Sequence, residues 1–146
     1  MAIHFLLPEG PHGFLSNWSP HPIALDGTPW PTVEHYFQAM KFPQDPALQG
    51  CIRQAATPEQ AKALAWATAA VREDWRQVRD AVMRAALVAK YRQHADLRQR
   101  LLATGEIELV EANPEDGYWG DSGDGSGTNR AGQLLMEVRA ELRAEL

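Results

Sequence analysis

In the stretch PTVEHYFQAMKF, residues 31–42, three polar side chains, Glu34, Gln38 and Lys41, stand among Val33, Tyr36, Phe37 and Met40. At 100° per residue these three fall within about 60° of one another on a helix, beside an apolar stripe of Val33, Phe37 and Met40. A carboxylate and an amine on one face are the parts of proton-transfer or nucleophilic chemistry: one takes or gives a proton, the other is a cation or an attacking amine. Aromatic neighbours that exclude water raise a carboxyl pKa, and a nearby lysine opposes that rise. Two readings stay open on these residues alone. One is an exposed helix with a solvated polar face; the other is a helix whose acid and amine point into a cleft.

Two further stretches combine polar and aromatic residues. In GFLSNWSPHPI, Ser16, Asn17 and Trp18 sit in a loop. Asn and Ser make turns by bonding their own backbone; equally, an amide beside an indole suits a ligand with a polar edge and a flat ring. In LVEANPEDGYWGDSGDGSGTNRAG, Glu111, Asp116, Trp119 and Asn129 surround a loop with five glycines between positions 117 and 127. Glycines ahead of a helix can cradle a phosphate through backbone N–H groups. Arg130 is the cation placed to help, while Asp121 and Asp124 oppose an anion. The loop is not a dinucleotide fingerprint, since no parallel βαβ unit frames it, nor an EF-hand loop, since no Glu closes it. His4 and His35 read as surface or packing residues, because no spacing matches a zinc motif.

The elements that must position these residues are mostly helical. Thr32 is placed as an N-cap for the Glu34 helix, and Pro43 predicts its end after Phe42. PIALDGTPW predicts a hairpin around Asp26-Gly27. Residues 3–7 and 106–112 read as short strands. Thr57-Pro58-Glu59-Gln60 is an N-terminal signature for an Ala-rich helix running to about Ala70. The spacing of Trp75, Val78, Val82, Leu87 and Tyr91 predicts a helix over 74–94. Asp96 begins another, which Gly105 ends, and residues 129–146 close the chain as an amphipathic helix. The expected fold is mainly α, a single compact helical domain over residues 1–146 with a few short β segments.

A length of 146 residues is enough for one domain with a real core, and 45% hydrophobic with 23% charged residues is ordinary for a globular chain. The net charge of -5 argues against a nonspecific nucleic-acid binder and leaves room for a nucleotide-sized ligand in a locally positive pocket. The single Cys51 can form no internal disulfide. Met1 to Leu7 lacks the basic start and long apolar run of a signal peptide, and no stretch approaches the roughly 20 apolar residues of a membrane span. No membrane partner is expected, and the cytoplasm is the expected location.

In this order the stretches resemble the NADAR, or YbiA-like, family. S-N-[FW]-S-P, E-H-Y-F-Q-A-x-K-F, L-x-T-G, L-V-E-A and W-G-x-x-x-x-G-x-G-x-N are all in register from about Phe14 to Arg139. The resemblance implies a mainly helical single domain and an N-glycosidase that breaks the bond between a ribose and a nitrogenous base or amine. Bacterial relatives are associated with phosphoribosylamino-pyrimidine intermediates of riboflavin biosynthesis, releasing ribose 5-phosphate. Other members remove ADP-ribose from guanine bases in nucleic acid, so nucleic acid is a partner only as an ADP-ribosylated substrate. A non-catalytic module that binds ADP-ribose or NAD is the alternative of a different class. By motif, the resemblance implicates Glu34, Trp75, Asp116 and Trp119 in activity, and Lys41 matches a lysine proposed as nucleophile in the guanine-directed branch. The glycine loop departs in carrying Asp124, Ser126 and Thr128 and no lysine.

Breaking a ribosyl C–N bond builds positive charge on the sugar, so carboxylates serve to stabilise it and to move protons. The expected catalytic residues are therefore Glu34 as general base or cation stabiliser, Asp116 orienting water or a ribose hydroxyl, and Lys41 as alternative nucleophile through a Schiff base. The last route needs a neutral amine, which a closed pocket favours. Trp18, Trp75 and Trp119 would hold the flat base by stacking. Asn17, Gln38, Glu111, Asn129 and Arg130 complete the expected substrate contacts. No cofactor and no metal is called for.

Overall fold

The computed structural model describes residues 1–146 and contains six α-helices and four short strands, in keeping with a mainly α chain. It folds as two units, Pro20–Gln93 and Met1–Ser19 with His94–Leu146.

In the unit Pro20–Gln93 the strands β2 (Ile23–Leu25) and β3 (Thr28–Trp30) pair antiparallel around Asp26-Gly27. Both turn residues have positive φ, 51° and 78°, the backbone that a two-residue hairpin of matching twist demands. Helix α1 (Val33–Ala39) starts where Thr32 accepts the His35 N–H, at 3.1 Å. It stops earlier than the sequence predicts. Past Met40 the bonds tighten, Lys41 N–H to Gln38 O and Phe42 N–H to Ala39 O, because Pro43 drives Phe42 out of the helical region. Lys41 therefore leaves the helix on a turn.

Helix α2 (Pro46–Arg53) has no counterpart among the sequence expectations, although Asp45 caps it through the Leu48 N–H and Pro46 opens it. Helix α3 (Pro58–Trp66) has the expected Thr57 cap, with Gln60 reaching back to the Ala56 N–H at 3.1 Å, but ends four residues short of Ala70. Helix α4 (Trp75–Gln93) spans nearly its expected length. Helix α1 packs on α2, α3 and α4 together, and all seven of its residues are buried.

In the other unit β1 (Ala2–Phe5) pairs in parallel with β4 (Glu108–Glu111). Helix α5 (Ala95–Ala103) ends at Thr104, with Gly105 at φ 67°. Helix α6 (Arg130–Ala144) lies on β4. Gly132 makes that approach possible: a Cβ there would stand 2.0 Å from the Leu109 carbonyl oxygen. Arg139 donates to Thr104 Oγ1 and to the Ile107 carbonyl, at 2.9 and 2.7 Å, tying α6 to the turn after α5.

Candidate active site

The burial of α1 excludes a solvated polar face. Glu34 is 7% exposed and Gln38 3%; neither lies on a solvated surface. A helix enclosed on every side must satisfy its polar groups internally. His35 does so completely. Its Nε2 lies 3.0 Å from the Ala55 carbonyl, which can only accept, so Nε2 carries the proton and Nδ1 accepts from the Thr32 hydroxyl at 2.8 Å. Burial lowers the His35 pKa, against the opposing Ala55 bond. The ring is a neutral structural clamp, as a packing histidine should be.

Gln38 is not satisfied. Its Nε2 donates to Glu34 Oε2 at 3.2 Å, which orients the carboxylate, but its Oε1 is buried without a partner. An unpaired buried acceptor costs about 1–3 kcal/mol. Native structures keep such a group where a ligand or water completes it. The two amide positions thus differ: one grips the acid, the other is buried without a bond.

Lys41 is 8% exposed although it sits on a turn. Its ammonium lies over three rings, 5.9 Å from the Phe37 centroid, 5.9 Å from Trp75 and 5.1 Å from Trp66. Phe37 and Trp75 pack at 5.0 Å between centroids, so the box is built from α1, α3 and the first residue of α4. The turn itself is held by the Arg72 N–H, which donates to the Lys41 carbonyl at 3.0 Å. Burial pushes the Lys41 pKa down; the Glu34 charge opposes this and the Lys62 charge adds to it. The structure therefore gathers Glu34, Gln38, Lys41 and Trp75. The open groove of about 780 Å³ along Phe42–Asp45 and Ala70–Asp74 is lined by none of these four.

Two residues of this unit escaped the sequence reading. Trp66, the nearest ring to the Lys41 ammonium, is 70% exposed; its place at the end of an Ala-rich helix gave no periodic signal. Lys90 is fully buried in α4, 5.3 Å from the Tyr91 ring centroid, and burial alone pushes its pKa down to about 7. It sits in sequence between Ala89 and Tyr91, where a lysine reads as part of a solvated face.

The remaining expected residues lie in the other unit, mostly in one loop. Asp116 Oδ1 accepts the N–H groups of Tyr118 and Trp119 at 2.9 and 2.8 Å, and Trp119 meets Tyr118 edge-on at 4.9 Å. Asn129, with φ 55°, accepts the Glu111 N–H on Oδ1 at 2.9 Å and donates to the Leu109 carbonyl from Nδ2 at 3.0 Å. Both ends of that amide are engaged with β4, so its first task is to fix the loop to the strand. Glu111 Oε2 accepts from Asn113 Nδ2 at 3.3 Å. Arg130 donates to Gln133 Oε1 and Glu137 Oε2, both at 3.1 Å, along its own helix. At the other end of the unit, Ser16 Oγ accepts the Trp18 N–H at 3.1 Å, and Asn17 and Trp18 are half-buried.

The glycine loop spends its amides on itself, as the opposing charge of Asp121 suggests, and does not build a phosphate cradle. The Asp121 carbonyl accepts the Gly125 and Gly127 N–H groups, at 3.0 and 2.9 Å, and its carboxylate accepts that of Gly123 at 2.7 Å. At the start of α6 the Arg130 and Ala131 N–H groups donate to the Tyr118 and Trp119 carbonyls, at 2.8 and 3.1 Å. An aspartate at the centre of a glycine turn draws in the amides an anion would need.

Residues 4–143 match the NADAR domain model. An N-glycosidase of Nostoc punctiforme is 45% identical over 146 residues, covering 98% of this chain and 94% of that protein. The N-glycosidase YbiA of Escherichia coli is 45% identical over 144 residues, covering 98% of this chain and 89% of its own. Its NMR structure superposes with a TM-score of 0.90 at 44% identity, over 99% of this chain and 86% of that one. A riboflavin biosynthesis protein of Vibrio vulnificus is 43% identical over 146 residues, a match that spans 97% of this chain and 38% of that protein.

Proposed function

The chain belongs to the NADAR domain family, and from that premise we propose that residues 1–146 act as one N-glycosidase domain. The reaction is hydrolysis of the ribosyl C–N bond of a phosphoribosylamino-pyrimidine. The C1′–N bond breaks with its electron pair going to nitrogen, which takes up a proton; water oxygen bonds to C1′ and gives up a proton. The products are ribose 5-phosphate and the free aminopyrimidine. The names of the relatives support the reaction class, and the riboflavin biosynthesis protein supports the substrate.

The observation that carries the reading is the buried Glu34–Gln38 pair on the helix whose end delivers Lys41 into the three-ring box. Glu34 lies where a carboxylate is strongest: desolvated, held by one amide, and electrostatically felt by a buried amine. It stabilises the sugar cation or takes the proton of the attacking water. The free Gln38 Oε1 accepts from a hydroxyl or amine of the substrate. Lys41 has the lowered pKa that an attacking amine requires, and Trp75 contributes a flat wall. Asp116 acts first through the loop it orders, by holding the Trp119 N–H. The net charge of -5 favours a small substrate over an ADP-ribosylated base in nucleic acid.

The test is mass spectrometry of the products after incubation with a phosphoribosylamino-pyrimidine and, separately, with ADP-ribosylated guanine. Ribose 5-phosphate from the first alone is the expected result. Release of ADP-ribose from the second alone would reassign the substrate. Substrate bound intact by both wild type and Glu34→Gln would make the chain a sensor.

A further inference from the structure

The indole of Trp66 is the most exposed wall of the Lys41 box. Helix α3 buries only Ala61 and Ala65, one helical row, and Trp66 stands beside that row at the helix end. It is the most exposed large apolar side chain between the two chain ends. Nevertheless its ring lies closer to the Lys41 ammonium than the buried Phe37 or the half-buried Trp75, 5.1 Å against 5.9 Å for both. A core residue would be covered, and a surface residue would have no reason to be the nearest ring to a buried amine. Water gains access to most of the indole, so a flat surface is presented beside a reactive group.

We propose that Trp66 is the platform on which the planar leaving base stacks, and that it selects N-ribosides of flat, conjugated amines over those of aliphatic ones. The proposal rests on the N-glycosidase reading and deepens it by naming the residue that reads the leaving group. A base laid on the uncovered part of the indole is held by the same ring that the Lys41 ammonium stands over. Stacking on an indole is sequence-tolerant and strong because every conjugated base offers a π-face. It also displaces the water that an exposed indole otherwise orders. The sugar gains nothing from this ring, so its own affinity is independent of Trp66.

The full-length wild type, Trp66→Ala and Trp66→Phe are compared for KM and kcat on a phosphoribosylamino-pyrimidine, with 5,6-diaminouracil and ribose 5-phosphate as separate product inhibitors. In Trp66→Ala the KM and the inhibition constant of 5,6-diaminouracil both rise about tenfold, the size of one lost stacking contact. That of ribose 5-phosphate does not move, and Trp66→Phe recovers most of the loss. Equal weakening of both products, or of neither, overturns the platform. An unchanged melting temperature in Trp66→Ala is expected from the exposure of the side chain; a collapse of the fold would show that packing does require it and would overturn the proposal too. Wild-type protein that leaves every N-riboside intact refutes the glycosidase reading instead. The platform is then judged by direct binding of 5,6-diaminouracil, where equal affinity of wild type and Trp66→Ala overturns it.

Discussion

Lys90 makes the stability of the protein depend on pH in a direction opposite to that of a salt-bridged lysine. Its side chain is 0% exposed, and burial brings the pKa from 10.5 to about 7. In the unfolded chain the amine keeps its ordinary value, so between these limits the unfolded state binds one more proton. Stability therefore rises with pH, by about 1.4 kcal/mol per pH unit within the window. Above the unfolded pKa the neutral amine costs nothing further; as pH falls towards 7 that stability is lost, and below about 7 the loss is complete and flat. The whole window amounts to roughly 5 kcal/mol at most, comparable with the net stability of a small domain. The assay is urea unfolding of wild type and Lys90→Met from pH 6 to 10. Other groups that titrate in this range, such as Tyr36, whose pKa burial and Asp26 push up, are common to both proteins and cancel in the difference. Relative to wild type, Lys90→Met is expected to lose about 3–4 kcal/mol of its advantage between pH 7 and pH 10. Parallel curves would show that the buried amine keeps its charge, and the reasoning from burial would fail.

Four other outcomes follow from the same structure. Glu34→Gln lowers kcat by about 10²–10⁴-fold and leaves ribose 5-phosphate binding within a fewfold of wild type, read by steady-state kinetics and calorimetry; unimpaired turnover would remove Glu34 from the reaction. Borohydride added during turnover traps a ribosyl adduct on the peptide containing Lys41, whereas normal turnover in Lys41→Arg with no adduct selects direct attack by water. Lys62→Gln removes a positive neighbour that helps hold the Lys41 pKa down, so the acid-side limb of the kcat/KM profile moves to higher pH; an unmoved limb would exclude Lys41 as the group that must lose its proton. Gln38→Met exchanges one lost bond to Glu34 for relief of an unpaired acceptor, so stability changes by less than about 1 kcal/mol while KM rises severalfold, and an unchanged KM would mean that Oε1 meets no substrate donor.

What was legible in the sequence was local. Thr32 and Thr57 announce their helices because an N-cap is a contact over three residues, and Asp26-Gly27 announces its hairpin because only certain residues accept positive φ twice in a row. Asp45-Pro46 carries the same kind of signal for α2, a cap followed by Pro at the first helical position. The polar face of α1 was visible, but periodicity reports only that Glu34, Gln38 and Lys41 share a side. It is silent on whether that side meets water. Trp66 and Lys90 were not visible at all, because the nearness of one to Lys41 and the burial of the other are set by residues far along the chain. In the glycine loop the sequence shows that Asp121 opposes an anion, but the hydrogen bonds it accepts from the loop amides do not show in the spacing of the glycines.

His35 and Gln38 show two outcomes for a polar group within a single buried helix. Both are polar, three residues apart, and equally deprived of water. His35 closes its bonds with Thr32 and Ala55, so replacing the set with apolar groups of the same shape would cost little. Gln38 holds Glu34 with one end and leaves the other empty at a standing cost. A fold selected only for stability would fill that position with a methionine or leucine. That the amide is found there, next to a buried carboxylate and one turn from a desolvated amine, is the pattern expected when local stability is given up to keep a place for substrate.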